Sequence, residues 1–179
     1  MVLQRLFRPS PPLTAGRALF SAAAAQARRP AFYGSLGVAD TVEGRFELYS
    51  LHVALLLLRL KGQGASAADT AQHLFDAYVR SLDDALREMG VSDVTVGKKM
   101  RKLGEAFYGR MRSYDEALEG LPQTRMLEEL IARTVFEGRS DAAVQALVDY
   151  VVQTVAILAA QPLAGLLEGQ ATWPEVRHG

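Results

Sequence analysis

The chain has no cysteine in its 179 residues, only three histidines and a single tryptophan. Without thiols there is no disulfide, no thiolate nucleophile and no thiolate metal site, and the composition fits a reducing compartment. His52, His73 and His178 form no HxxxH or HExxH pair, so neither a transition-metal centre nor a metal cofactor is expected. An excess of one charge is missing too. The 20 basic and 20 acidic residues balance, which removes the whole-chain field that would draw the protein onto DNA. That balance hides a division: five basic residues (Arg5, Arg8, Arg17, Arg28, Arg29) and no acidic ones precede residue 40, leaving 15 against 20 from residue 40 onward. The expected organisation is a basic Ala/Arg-rich N-terminal arm or helix over residues 1–29 and one compact helical domain over 30–179.

Uncharged runs long enough to cross a bilayer are also scarce. In and around "LHVALLLLRL" (51–60), only 11 residues separate Glu47 from Arg59, about half of the ~20 a spanning helix needs. The stretch "YVVQTVAILAAQPLAGLL" (150–167) is longer, but Gln153, Gln161 and the helix breaker Pro162 favour a buried helix. Near the N-terminus, "TAGRALFSAAAAQARR" (14–29) is Arg-rich and acid-poor like a transit peptide, and Ala25-Gln26-Ala27 resembles a cleavage site. Its apolar part is mostly alanine, too weak for a secretory signal. An ordered or partner-induced amphipathic helix is the first reading, a cleaved presequence the second.

What the sequence does contain is helix punctuation. Asp40-x-x-Glu43 reads as a capping box opening a helix that runs to Lys61, where Gly62 and Gly64 end it. Ser66-x-x-Asp69 opens the next, closing at Gly90. From Thr95 to Leu118, Val96, Met100, Leu103, Phe107, Met111, Tyr114 and Leu118 recur at spacings of three and four, a core-facing stripe. Pro122 suits the first turn of a helix ending before Gly138. Ser140 then caps a long apolar helix, and Pro162 starts a short final turn. No stretch alternates with period two, so the fold class is all-α, with six or seven helices. "GVADTVEGR" (37–45) and "GVSDVTVGK" (90–98) share Gly-Val-x-Asp-x-x-x-Gly-Arg/Lys. A glycine inside a helix costs about 1 kcal/mol relative to alanine, so Gly44 and Gly97 point to close approach of another backbone.

Three constellations invite a functional reading. Arg45, His52 and Arg59 are seven apart, a polar stripe along a helix that is otherwise apolar nearly all round. The stripe is a candidate groove wall, although a satisfied core histidine is the commoner fate of His52 alone, since no serine or cysteine nucleophile motif accompanies it. Leu51, Leu55, Phe75, Tyr78, Phe107 and Met111 would line that groove and hold an apolar helix of a client. "KKMRK" puts Lys98, Arg101 and Lys102, with Arg112, opposite the apolar stripe of its helix. Together with Lys99 they form a basic ridge suited to acidic lipid or RNA, although a solvated face is the usual outcome. Asp83-Asp84 and Glu128-Glu129 point about 100° apart on helices and do not share a proton. No set assembles a nucleophile, a base and an oxyanion site, so the chain reads as a non-enzyme.

Taken together, "ARRPAFYGSLGVADTVEGRFELYSLHVALLLLRL", "AQHLFDAYVRSLDDALREMGVSDVTVGKKMRKLGEAFYGRM" and "SYDEAL" resemble the ubiquinol-cytochrome c chaperone family over residues 27–118. The resemblance implies a non-enzymatic assembly factor of the cytochrome bc1 complex (respiratory complex III). It further implies binding of newly synthesised cytochrome b, cooperation with a small partner protein, work near the ribosome, and peripheral contact with a membrane the chain does not span. A long presequence and membrane anchor of the mitochondrial type are not evident. The expectation is therefore a bacterial member, cytoplasmic and peripheral at the inner membrane; a eukaryotic one would act at the mitochondrial inner membrane. The rival reading is a helical carrier of an anionic small molecule, haem or lipid, gripped by Arg45, His52 and Arg59. RNA binding through the ridge ranks third.

Overall fold

A computed structural model describes residues 10–139 and 142–176, which form helices and no strands. The helices are α1 (Pro11–Ala27), α2 (Pro30–Gly34), α3 (Val42–Leu60), α4 (Ala65–Glu88), α5 (Asp93–Glu119), α6 (Arg125–Thr134), α7 (Ala142–Ala160) and α8 (Leu163–Leu167). The all-α expectation holds. The two five-residue helices, α2 and α8, account for the higher count. Arg5, Arg8, Ser140 and His178 lie outside the described residues.

Helix α3 is the axis of the molecule. Every residue from Leu48 to Leu57 is buried except Tyr49, and α1, α4, α5 and α7 all pack on it. An apolar surface this continuous is stable only when surrounded, which is why the run beginning at Leu51 is a core helix. Its cap differs from the expected box by one position. Thr41 is the N-cap, its Oγ1 accepting the Gly44 amide at 3.1 Å, while Asp40 turns outward to pair with Arg45 at 2.6 Å.

Of the N-terminal arm or helix expected over residues 1–29, Pro11–Ala27 is a helix that packs into the core. Ala15, Leu19, Ala23 and Ala27 are buried, and α1 packs along α4 and α3. Small side chains set the approach: a Cβ at Gly16 would come within 2.7 Å of the Leu74 nitrogen on α4. Helix α4 begins at Ala65 behind Gly64, whose φ of 94° is open to glycine, so the Ser66 box is not the cap. The stripe on α5 faces inward as expected, with Val96, Phe107 and Tyr114 buried and Met100, Leu103, Met111 and Leu118 half-buried. Pro122 sits in the turn before α6, whose first residue is Arg125.

Helix α7 is the one helix among the described residues long and apolar enough to cross a membrane. Here Val144, Leu147, Val148, Val151 and Leu158 are buried, and the helix packs against α3 and α6. Gln161 follows it, and its side chain clamps the C-terminal segment. Nε2 donates to the Gln170 carbonyl at 2.8 Å and Oε1 accepts the Thr172 amide at 3.1 Å.

Candidate functional site

Arg45, His52 and Arg59 fall on one line of α3 but in three environments, so they do not form one wall. Arg45 is exposed and engaged by Asp40. His52 is fully buried. Arg59, at the far end, donates from Nε to the Leu158 carbonyl at 2.7 Å and from an Nη to the Gln161 carbonyl at 3.2 Å, closing the C-terminus of α7. This overturns the geometry of an anion-gripping stripe, because two of its three members are occupied by the fold and the third is out in solvent.

His52 is the centre of a buried polar chain. Its Nδ1 lies 2.7 Å from the Leu48 carbonyl, which only accepts, so the proton is on Nδ1. Nε2 is then the acceptor for the Tyr150 hydroxyl at 2.8 Å, and the Tyr150 oxygen accepts Gln26 Nε2 at 3.0 Å. The same Gln26 nitrogen reaches the Pro174 carbonyl at 3.3 Å. Phe32 and Trp173 stand edge-on to the imidazole, with ring centroids 5.4 and 5.2 Å away. Burial drives the His52 pKa down to about 4 against the modest opposing effect of the Leu48 hydrogen bond, and pushes Tyr150 up to about 12. A neutral imidazole with both nitrogens satisfied ties α1, α3, α7 and the C-terminal segment together. It is structural.

The expected continuous groove is also divided. Leu51, Tyr78 and Phe107 are core residues with almost no accessible surface. Tyr78 donates or accepts at Ser50 Oγ, 2.8 Å away, and packs on Phe107 with centroids 4.8 Å apart. Met111 is half-buried against the same core. Leu55 and Phe75 border two different surface grooves. One, about 260 Å³, lies between α3, α5 and α7. Its floor is Leu55, Leu58, Leu118, Val155 and Leu158, with Arg59, Asp115 and Glu119 at its rim. The other, about 540 Å³ and more open, runs between α4 and the first half of α5 beside Phe75, Val79, Gly97 and Met100, with Asp76, Arg80 and Asp83 along it.

The rim charges of the first groove are largely satisfied within the fold. Arg59 is held by α7 carbonyls, and Asp115 accepts Lys61 Nζ at 2.5 Å. Its apolar floor is what remains to be covered, and Leu58, Leu118 and Val155 are each partly accessible. Sequence reasoning had no signal for Leu58 or Val155, because their neighbours across the groove come from helices distant in the chain. A further link that patterning missed is Arg110, which turns inward and donates two hydrogen bonds, each 2.9 Å, to the buried Glu47 carboxylate.

The basic residues Lys98, Lys99, Arg101, Lys102 and Arg112 are all exposed. Arg112 pairs with Glu116 at 2.8 Å, and Arg101 lies 3.5 Å from Glu105. Of the paired glycines, Gly44 meets the close approach its position implies: a Cβ there would lie 2.1 Å from the Ala39 carbonyl oxygen. Gly97 does not, since nothing lies within 4 Å of the place its Cβ would take.

This helical body has known counterparts. The sequence profile of the Ubiquinol-cytochrome C chaperone family matches residues 34–173. The chain belongs to that family. It is 26% identical over 147 residues to the Ubiquinol-cytochrome-c reductase complex assembly factor 1 of Xenopus laevis, covering 79% of this chain and 72% of that one. The crystal structure of the Cbp3 homolog from Brucella abortus superimposes with a TM-score of 0.86 at 31% identity, covering 98% of both chains. The likeness to this chaperone fold extends over the N-terminal helix and the last helices, well beyond the segments that carried the resemblance in sequence.

Proposed function

We propose that this chaperone assists assembly of the cytochrome bc1 complex by holding an apolar helical segment of newly made cytochrome b in the groove between α3, α5 and α7, without catalysing a reaction. The observation that carries the reading is an apolar floor (Leu55, Leu58, Leu118, Val155, Leu158) two of whose rim charges, Arg59 and Asp115, are already engaged within the fold, in a member of a chaperone family. An apolar helix laid there meets side chains at helical spacing on three flanking helices, the geometry of helix-in-groove recognition. A charged or strongly polar ligand would gain little, because Arg59 and Asp115 are engaged within the fold. In a bacterium the work is done at the cytoplasmic face of the inner membrane, where the client inserts. A small partner protein and the emerging chain at the ribosome are the natural neighbours of that step.

The test is site-specific photo-crosslinking in a bacterium that makes a bc1 complex. A photoreactive residue at Leu58 or Val155 is expected to capture cytochrome b, and one at the exposed Gln72 on α4 is not. Capture at Gln72 alone would overturn the assignment of the groove, and absence of cytochrome b from every position would overturn the client.

A further inference from the structure

The far end of the α4–α5 hairpin leaves the main core. Beyond Leu82 on α4 and before Leu103 on α5 the buried residues are Leu86 and Val96, and neither belongs to the central cluster. This end carries two features that lie side by side. The first is exposed apolar surface. Val94 is 93% exposed at the start of α5, and Met89 is 53% exposed at the end of α4. The second is unneutralised positive charge. From Val94 to Gly104 there are four cations and no acid; Arg101 lies 3.5 Å from Glu105 in the next turn, while Lys98, Lys99 and Lys102 make no ion pair among the described residues. Elsewhere on the surface Arg45, Lys61, Arg87, Arg112 and Arg125 are each paired with a carboxylate, and the cations that make no ion pair among the described residues, such as Arg17, Arg80 and Arg133, are scattered over separate helices and not clustered within five residues as on α5.

Val94, Lys98, Arg101 and Lys102 are spaced by four, seven and eight residues, so they share the outward face of α5. The acidic residues of the hairpin end are partly cancelled: Asp83 and Asp93 both pair with Arg87, leaving Asp84 and Glu88 on α4. The geometry points to this hairpin end as a docking surface for an anionic phospholipid bilayer. Val94 and Met89 enter the headgroup–acyl boundary while Lys98, Lys99, Arg101 and Lys102 meet lipid phosphates. Apolar side chains next to unpaired cations gain from both parts of such an interface. RNA would use the charge, but it offers no apolar phase for Val94, and Tyr108 is the one exposed aromatic nearby for a base to stack on.

This deepens the membrane-side location proposed above, but it is measured without client, so the two fail separately. The full chain is floated with vesicles of phosphatidylcholine alone and of phosphatidylcholine mixed with phosphatidylglycerol. Binding is expected only to the mixed vesicles, weakening as salt is raised. Neutralising Lys98, Arg101 and Lys102 to Gln should weaken partitioning by roughly 100-fold, taking the usual contribution of each cation near an anionic surface. Val94→Ser, at a position too exposed to disturb folding, should weaken it several-fold at low salt. Equal binding to both vesicle types, or unchanged binding by the triple variant, overturns the proposal. Unchanged binding by Val94→Ser overturns the insertion of the apolar tip. Binding to an RNA oligonucleotide with none to the mixed vesicles overturns the bilayer and assigns the ridge to nucleic acid.

Discussion

The buried imidazole of His52 makes stability depend on pH in a window set by its environment. In the unfolded chain the ring titrates near its ordinary 6.5, and in the folded protein burial lowers this to about 4. Above pH 6.5 neither state binds the proton, so this contribution is fully present and flat. Between 6.5 and about 4 only the unfolded chain binds it, so stability falls as pH falls, by ~1.4 kcal/mol per unit, a total of about 3 kcal/mol. Below about pH 4 both states are protonated and the loss stops. Asp40, held low by its hydrogen bond to Arg45, acts only below its ordinary 3.8 and leaves the upper part of the window clear. The assay is urea unfolding between pH 7 and 5, followed by far-UV circular dichroism and by the fluorescence of Trp173, the single tryptophan, which packs edge-on to the ring. The wild type should lose roughly 2 kcal/mol over this interval, while His52→Gln, which keeps an acceptor for Tyr150, should lose much less even if it starts less stable. An equal slope in the two proteins, or an NMR titration placing His52 near 6.5, would refute the reasoning.

Other residues carry more local expectations. Gly16→Ala drives a methyl into the backbone of α4 and should destabilise by about 1–3 kcal/mol, whereas Gly97→Ala, with open space around it, should stabilise by up to about 1 kcal/mol; thermal melts distinguish them. Arg110→Ala leaves the buried Glu47 carboxylate without its partner and should cost about 1–3 kcal/mol, and Glu47→Gln in the same chain should recover part of that in a double-mutant cycle. Arg59→Ala uncaps α7, so amides in its last turn and in residues 170–172 should exchange faster while those of α3 hold their protection.

The helical class and the inward face of α5 were legible because periodicity is local: Val96, Phe107 and Tyr114 carry it in their own spacing. The caps of α3 and α4 were read to within a residue or two, whereas Pro122 lies in the turn ahead of α6 and not in its first turn. Thr41 competes with Asp40 for the same role, and the φ of 94° at Gly64 has no signal beyond glycine itself. The Arg45–His52–Arg59 line was also real, but it runs about 21 Å along an axial helix. Over that length one face passes from solvent through the core to the end of α7, so a common face did not mean a common environment. The side-chain partner of His52, Tyr150, and the Gln26 amide that bonds Tyr150 in turn lie on other helices, and nothing in either segment announces the contact. The same holds for the α3–α5–α7 groove, whose floor exists only once three separate helices are packed.

The central claim is that this groove holds cytochrome b while the bc1 complex is assembled. The most direct measurement is the content of assembled bc1 complex in membranes of a bacterial strain lacking its own family member, complemented with the wild-type chain or with Leu58→Glu and Val155→Glu. Both positions are partly accessible, so the charges have a path to solvent, and matched melting curves and cellular levels confirm that the variants fold. The account predicts that the wild type restores the complex and that both variants fail to do so while remaining folded and abundant. Full restoration by the folded variants would contradict it.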